Sequence, residues 1–393
     1  MIKKKILLKT SKQIRYEITS EWNVFSSNSR SLTKHFEKNT NPFFVVDYNV
    51  DRLYGENLKK YFSDKGLLSS ENQWVTFGTS ENLEKEKTMR NCLDLVKKFN
   101  AHGVARKDLV VLIGGGVVLD LGGLASQLFR RGLTYLKIPT TLIGMIDAGI
   151  GVKVGVNFDN GKNKVGSFYN SVACINDLSF LKTLPSKEIR QGMAEIIKMG
   201  LIYDKRIIKI IEKSGKEIVS SKFQKDINTK KLINLAITAM LDNLKVNLFE
   251  KKLARLVDFG HTFSPWIEMA SKNDITHGEA VSIDMALTIQ IAYILKKCTR
   301  KTLQSSLKLL QEYNLPIFDP IFLDYNNKLS LVKSIRDIIK HRGNKLNLPY
   351  PKKIGKGGFL QVSEFPNNNL EKVMLKAIDS LQKVHQDCNI EHI

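Results

Sequence analysis

No stretch of this chain carries the ~18 uncharged apolar residues that span a bilayer, and the opening MIKKKILLKT has too short an apolar segment for a secretory signal. No membrane partner and a cytoplasmic location are therefore expected. Cysteine is scarce: Cys92, Cys174, Cys298 and Cys388 are scattered without a CxxC pair, so neither a disulfide framework nor a cysteine zinc site is indicated, and buried, incidental thiols are expected. Internal repeats, low-complexity tracts and long Pro/Gly linkers are missing, so a domain boundary has to be read from a change of periodicity. Acidic residues are few, Asp+Glu 39 against Lys+Arg 61, for a formal charge of +22. The lysines are spread along the whole chain with no RNP-like, zinc-finger or aromatic-interleaved basic motif. The excess reads as a solvated surface with no nucleic-acid partner, whose positive field would help to collect an anionic substrate.

What is present is an ordinary globular balance, 42% hydrophobic and 25% charged over 393 residues, enough for two or three domains on a prior of roughly 150 residues each. The first half alternates β-branched runs with helical patterns, as a parallel α/β sheet requires. FFVVDYNV (43–50) reads as a buried strand offering Asp47 and Asn49 at its carboxyl end. ENLEKEKTMRNCLDLVKKFNAHG (81–103) reads as a helix with Met89, Leu93, Val96 and Phe99 at helical spacing, stopped by Gly103.

DLVVLIGGGVVLDLGGLASQLFRRG (108–132) gives a strand, three glycines and a helix with Ala125, Leu128 and Phe129 on one side. Its glycines allow close approach to a phosphate, but the run is no GxGxxG fingerprint, because Val117, Val118, Leu119 and Asp120 follow. YLKIPTTLIGMID (135–147) is a strand ended by Pro139, with Thr140 and Thr141 behind it. GIGVKVGVNFDNGKNKVG (149–166), carrying Lys153, Lys162 and Asn163, reads as a glycine-rich loop without a long regular element. From about residue 186 the period is helical, clearest in EIRQGMAEIIKMGLI, KLINLAITAMLDNL and HGEAVSIDMALTIQIAYILKK. The expectation is an α/β fold: a Rossmann-like parallel-sheet domain over 1–185 and a mostly α-helical domain over 186–393, divided near Leu184 and Pro185.

Chemistry-bearing residues gather in the helical half. Glu195 and Lys198 lie three apart and share a helix face, as a surface ion pair or as part of a site. His261 in VDFGHTFSPWIEM and His277 in ITHGEAVSIDM are each flanked by glycine and each precedes or opens an apolar helix, as caps or as ligands. One Glu and two His would make a three-ligand centre with an open position, the arrangement of catalytic zinc, although there is no HExxH.

Taken in order, GGGVVLD, IPTTLIGMIDAGIGVK, GKNKVG, TLPSKEIRQGMAEIIKMG, DFGHTFSPWIEM and HGEAV resemble the dehydroquinate synthase superfamily of sugar-phosphate cyclases over roughly residues 42–298. The resemblance implies an NAD- and metal-dependent enzyme and a homodimer. It gives NAD contacts to Asp47, Asn49, Glu84, Lys87, Gly115, Gly116, Val117, Asp120, Thr140, Thr141, Thr183, Leu184 and Glu188. Metal ligation, by Zn2+ or Co2+, falls on Glu195, His261 and His277. Substrate and catalytic roles fall on Arg131, Asp147, Lys153, Lys162, Asn163 and Lys198, whose cations suit a phosphate. His341 and Arg342 in KHRGN lie where relatives carry a basic substrate-binding pair; a surface loop is the other reading.

The sequence departs from dehydroquinate synthase where that enzyme shows N-x-G-H-x-x-G-H. Asp258 stands for the asparagine and Pro265 for the second histidine, and the upstream arginine aligns with Ala254, next to Arg255. After GKNKVG the usual proline-bearing turn is replaced by Ser167, Phe168, Tyr169, Asn170 and Ser171. An unpaired Asp258 would repel a substrate carboxylate and accept a hydrogen bond from an alcohol; if Arg255 swings in to pair with it, the repulsion shrinks, though loss of the second histidine still disfavours the acid. The DFGHTFSP run is similar to that of the 2-epi-5-epi-valiolone synthases, which implies sedoheptulose 7-phosphate, a phosphorylated seven-carbon sugar, as substrate. The implied reaction is transient oxidation by NAD, β-elimination of phosphate, re-reduction and intramolecular aldol closure. The rivals are a 3-dehydroquinate synthase or another sedoheptulose 7-phosphate cyclase, a metal-dependent polyol dehydrogenase that would leave NADH in solution, and a nucleic-acid-binding protein suggested by charge alone.

Overall fold

The computed structural model describes residues 10, 13–27, 29–36, 41–79, 83–159, 161–224, 226–271, 275–341, 345–365 and 369–390. Its first half is built on strands β1 (Glu17–Glu21), β2 (Phe43–Asp47), β3 (Trp74–Phe77), β4 (Leu109–Gly114), β5 (Thr134–Pro139) and, beyond an antiparallel pair β6 (Lys153–Phe158) and β7 (Gly161–Phe168), β8 (Ala173–Asp177). Six of them form one parallel sheet in the order β1-β8-β5-β4-β2-β3. Helices α1 (Tyr48–Asp64), α2 (Met89–Ala101) and α3 (Gly116–Leu128) connect the strands. The central strands β4 and β5 are largely apolar because both faces are covered, Lys137 of β5 being the charged exception.

Alternate side chains serve two cores. Phe43, Val45, Val110, Leu112 and Tyr135 pack with Cys92, Leu95 and Phe99 of α2 and Leu121, Leu124 and Ala125 of α3. Phe44, Val46, Val111, Ile113, Leu136 and Ile138 face the other way and share one continuous core with the helical half. That half contains α4 (Ser186–Ile202), α5 (Lys205–Ser220), α6 (Asp226–Lys245), α7 (Ser264–Ala270), α8 (His277–Ile294), α9 (Arg300–Glu312), α10 (Tyr325–His341) and α11 (Leu370–Ile390). The sequence of α8 carries apolar residues on all sides, so it is buried from Ala280 to Ala292. No described helix is long and apolar enough to cross a membrane. Cys92, Cys174 and Cys298 are buried and free; the side chain of Cys388 lies outside the described residues.

Several expectations about local structure are corrected. The strand expected over 43–50 stops at Asp47, whose Oδ1 accepts the Asn49 amide at 2.8 Å and starts α1. The helix expected from 81 begins at Met89, capped by Thr88, and buries Cys92, Leu95 and Phe99 while Leu93 is exposed. On α3, Ala125 is buried and Leu128 is exposed. The glycine-rich run 149–166 is largely the β6–β7 hairpin: Gly155 and Gly166 pair, and a Cβ on Gly166 would lie 2.2 Å from the Val154 carbonyl oxygen, so these glycines permit a tight ladder. In the helical half, β9 (Leu348–Lys353) and β10 (Lys356–Leu360) form a second antiparallel pair.

Candidate active site

The chain goes from β2 to β3 on one side and returns to β4 on the other, so the strand order reverses between β2 and β4. Their carboxyl ends open a crevice at this switch point, the place where doubly wound sheets bind ligands. Asp47 closes β2, and the turn Gly114, Gly115, Gly116 leads from β4 into α3, with Gly115 as its N-cap. A Cβ on Gly114 would lie 2.9 Å from that of Asp47, so only glycine lets the two ends approach so closely. Burial pushes the Asp47 carboxyl up, against the amides of Asn49, Val50 and Gly115 that it accepts. The Thr140 amide donates to the Gly114 carbonyl at 3.0 Å, and Thr141 Oγ1 accepts the Gly144 amide at 3.1 Å.

Beside this crevice Lys87 is buried and reaches Asp120 Oδ2 and Asn163 Oδ1, each at 2.6 Å. Burial disfavours its charge, but Asp120 and Glu84 more than offset that and hold its pKa above the ordinary lysine value. Glu84 accepts from Asn157 at 2.9 Å. Val117 is half-buried in the first turn of α3. Thr183 Oγ1 lies 2.7 Å from Tyr54 Oη, Leu184 packs on the core, and Glu188 in the first turn of α4 is raised by burial.

Glycines also assemble the second cluster. Gly278 touches the backbone of Gln191, where a Cβ would lie 2.4 Å from Gln191 Cα, so the start of α8 can meet α4 one turn before Glu195. Thr276 and Glu279 form a capping box that fixes His277 as the first residue of α8. Gly260 adopts φ +79°, a left-handed turn that suits glycine, and delivers His261 over α8. The result places His261 Nε2 3.6 Å and His277 Nε2 3.8 Å from Glu195 Oε1.

Both rings are oriented through their other nitrogen. His261 Nδ1 lies 3.3 Å from the Phe259 carbonyl and His277 Nδ1 2.9 Å from Glu268 Oε1. Ligand atoms around a tetrahedral ion with bonds near 2.0–2.2 Å stand roughly 3.4 Å apart, close to this spacing. Glu195 Oε1 is buried and has no hydrogen-bond partner among the described residues, so a cation among the three would satisfy an otherwise orphaned carboxylate oxygen. The residues therefore fit a divalent metal; among the described residues this trio is the one group of three or more such side chains with ligand spacing.

Lys198 forms a fully buried pair with Glu195, replacing the alternative of a surface ion pair. Burial disfavours its charge, yet Glu195 and Asp147 keep its pKa raised. His261 is held well below its ordinary value by burial and by the Lys198 and His277 charges, so it presents a neutral nitrogen. Burial opposes protonation of His277 too, but Glu268 outweighs it and raises its pKa. Asp147, on the π-helical turn Gly144–Ala148, faces the cluster, its charge favouring the protonated forms of both Lys198 and His261. Asp284 of α8 is buried and accepts the amides of Phe263 and Ser264, fixing the turn after His261.

The hairpin lysines reach across to the helical half. Lys162 pairs with Glu268, and Lys153 Nζ lies 3.0 Å from Glu250. Arg255 joins Glu250 to Asp258, so of the two expectations for Asp258, unpaired and repelling or paired with Arg255, the pairing is the one present. Arg131 stands apart: it is exposed at the far end of α3, and no hydrogen bond or ion pair joins it to the other candidates among the described residues. Arg342 and the side chain of His341 lie outside the described residues. Sequence reading passed over Glu268 and Asp284; the available signal was an acid spaced to face inward from an otherwise apolar helix.

Comparison with known proteins decides the family. The N-terminal model of 3-dehydroquinate synthase matches residues 78–191 and the C-terminal model residues 192–334. The chain belongs to the dehydroquinate synthase family. A 2-epi-5-epi-valiolone synthase of Streptomyces albus is 36% identical over 93% of this chain and 88% of its own length. A 3-dehydroquinate synthase of Prochlorococcus marinus is 31% identical over 90% and 95%. The structure of ValA, the 2-epi-5-epi-valiolone synthase of Streptomyces hygroscopicus subsp. jinggangensis 5008 with NAD+ and Zn2+ bound, superposes with a TM-score of 0.87 at 32% identity, covering 96% of this chain and 99% of that one.

Proposed function

We propose that this family member is a sugar-phosphate cyclase and carbon–oxygen lyase that converts sedoheptulose 7-phosphate to 2-epi-5-epi-valiolone with release of phosphate. The observation that carries the reading is the pair Asp258 and Pro265, in place of the amide and second histidine of a carboxylate-binding relative. When bound, NAD accepts and returns a hydride and the metal lowers the cost of a developing alkoxide. Glu195, His261 and His277 would hold the metal. The dinucleotide would lie along the crevice beside Asp47, Gly115, Gly116 and Asp120. Lys153 and Lys162 bind phosphate, Lys198 stabilises developing oxyanions beside the metal, and Asp147 and Asn163 orient hydroxyl groups.

The proposal includes Zn2+ or Co2+ as metal, a homodimer, a cytoplasmic address and a division into domains 1–185 and 186–393. Incubation with sedoheptulose 7-phosphate, catalytic NAD+ and Zn2+, followed by mass spectrometry and NMR of the product, tests it. A valiolone ring with stoichiometric phosphate is expected; stoichiometric NADH, or dehydroquinate from the acid substrate, would overturn it.

A further inference from the structure

Lys137 lies in the middle of β5, in a strand otherwise apolar from Tyr135 to Pro139, and its side chain is fully buried. The Nζ donates to two main-chain carbonyls, Ala148 at 3.1 Å and Gly151 at 3.0 Å. Both belong to the segment that begins as the π-helical turn Gly144–Ala148 and runs into β6 at Lys153. That segment carries Asp147.

Two further side chains hold the same segment. Asn176 of β8 donates to the Met145 carbonyl at 3.0 Å, and Tyr16 donates to the Ile150 carbonyl at 2.9 Å. Gly149 is pressed against the sheet, where a Cβ would lie 2.8 Å from Pro139 and 2.9 Å from Cys174 Sγ. The segment from Met145 to Gly151 is thus held from β5, from β8 and from Tyr16 just before β1, with Lys137 making two of these four side-chain hydrogen bonds.

An ammonium is an expensive way to fill such a place. An apolar chain of the same length would avoid the desolvation of a buried cation, so stability alone does not favour lysine here. A π-helical turn, in contrast, leaves carbonyls that regular helix bonding would have used, and such turns are common at functional sites.

We propose that Lys137 is a positioning residue that holds the Asp147 turn at the geometry the reaction needs, a role that rests on the function proposed above. Lys137→Met removes both donors at nearly equal length, whereas Lys137→Gln keeps two N–H donors on a side chain one bond shorter. The measurements are made on the full-length protein loaded with NAD+ and Zn2+. For Lys137→Met, amide hydrogen exchange over residues 144–151 should accelerate at least tenfold. Its kcat on sedoheptulose 7-phosphate should fall about 10- to 100-fold, the scale of a small misplacement of a reacting group. KM should stay within about threefold, and Tm should be unchanged or higher, as loss of a buried charge allows. Lys137→Gln should recover most of the kcat and of the exchange protection.

Unaltered exchange in Lys137→Met, or a kcat within threefold of wild type, would overturn the proposal; so would a fall in Tm that accounts for the lost activity and is not reversed by Gln. If the wild-type protein does not turn over sedoheptulose 7-phosphate, the functional reading fails while the exchange comparison still decides whether Lys137 holds the turn.

Discussion

Arg255 grips both oxygens of Asp258, Nε to Oδ2 at 2.9 Å and Nη2 to Oδ1 at 2.7 Å, and its remaining edge meets Glu250. A bidentate guanidinium pair of this kind neutralises Asp258. Under the proposed function, discrimination against a carboxylate-bearing sugar would then come from a cation that is already engaged, more than from bare repulsion.

That arrangement predicts substrate choice. Wild-type enzyme should prefer sedoheptulose 7-phosphate over the carboxylate-bearing substrate of dehydroquinate synthase by roughly 100-fold or more in kcat/KM. Asp258→Asn should release one edge of Arg255 and narrow the preference at least tenfold, mainly by improving the acid. Competition assays with both sugars measure this, and an unchanged ratio would count against the role of the pair.

Metal content should follow the ligand trio and the carboxylate behind it. His277→Ala should lose bound zinc by elemental analysis while its circular dichroism remains native. Glu268→Ala should bind zinc about 10- to 100-fold more weakly in chelator competition, because an unsupported imidazole loses orientation and basicity. Glu268→Gln, which retains an acceptor for Nδ1, should fall between Ala and wild type.

Burial pushes Asp284 up to about 6 from an ordinary value of 3.8. Between these values the native carboxyl keeps a proton that the unfolded chain has released, so its contribution to stability is largest below about 4 and declines as pH rises to about 6. Asp284→Asn keeps an acceptor for the Phe263 and Ser264 amides and can donate to Thr288. Its unfolding free energy in urea, relative to wild type, should rise from pH 4 to 6 and level off above; a flat difference would refute this assignment.

Cys92 and Cys174 are raised to about 12 and Cys298 to about 11 by burial. Iodoacetamide at pH 8 should leave all three unmodified in the native protein and alkylate them once it is unfolded, as peptide mapping would show.

The parallel sheet and the helical half were legible because apolar strands and 3.6-residue periods are local signals. So were the glycines beside His261 and His277, although the sequence did not disclose that one supplies a left-handed turn and the other a helix contact. The β6–β7 hairpin was missed because Gly155 and Gly166 look like chain breakers until their cross-strand partners are known. Glu268 acts through contacts with His277 and Lys162 on separate elements, which no spacing along the chain expresses, whereas Arg255 and Asp258, three apart, could be paired from the sequence. Lys137 did leave a trace, a charge inside YLKIP, but its acceptors lie beyond the strand.

The two hairpin lysines do not wait empty for a phosphate: Lys162 is on Glu268 and Lys153 is on Glu250. Each of those carboxylates has another positively charged or hydrogen-bonding neighbour, His277 for Glu268 and Arg255 for Glu250. On the phosphate role proposed for these lysines, an incoming dianion that drew them away would strand neither acid. Substrate capture would then be an exchange of partners, in which the ligand takes over a lysine while the acid tightens on its other neighbour, so the buried Glu268 would never be left as an isolated charge.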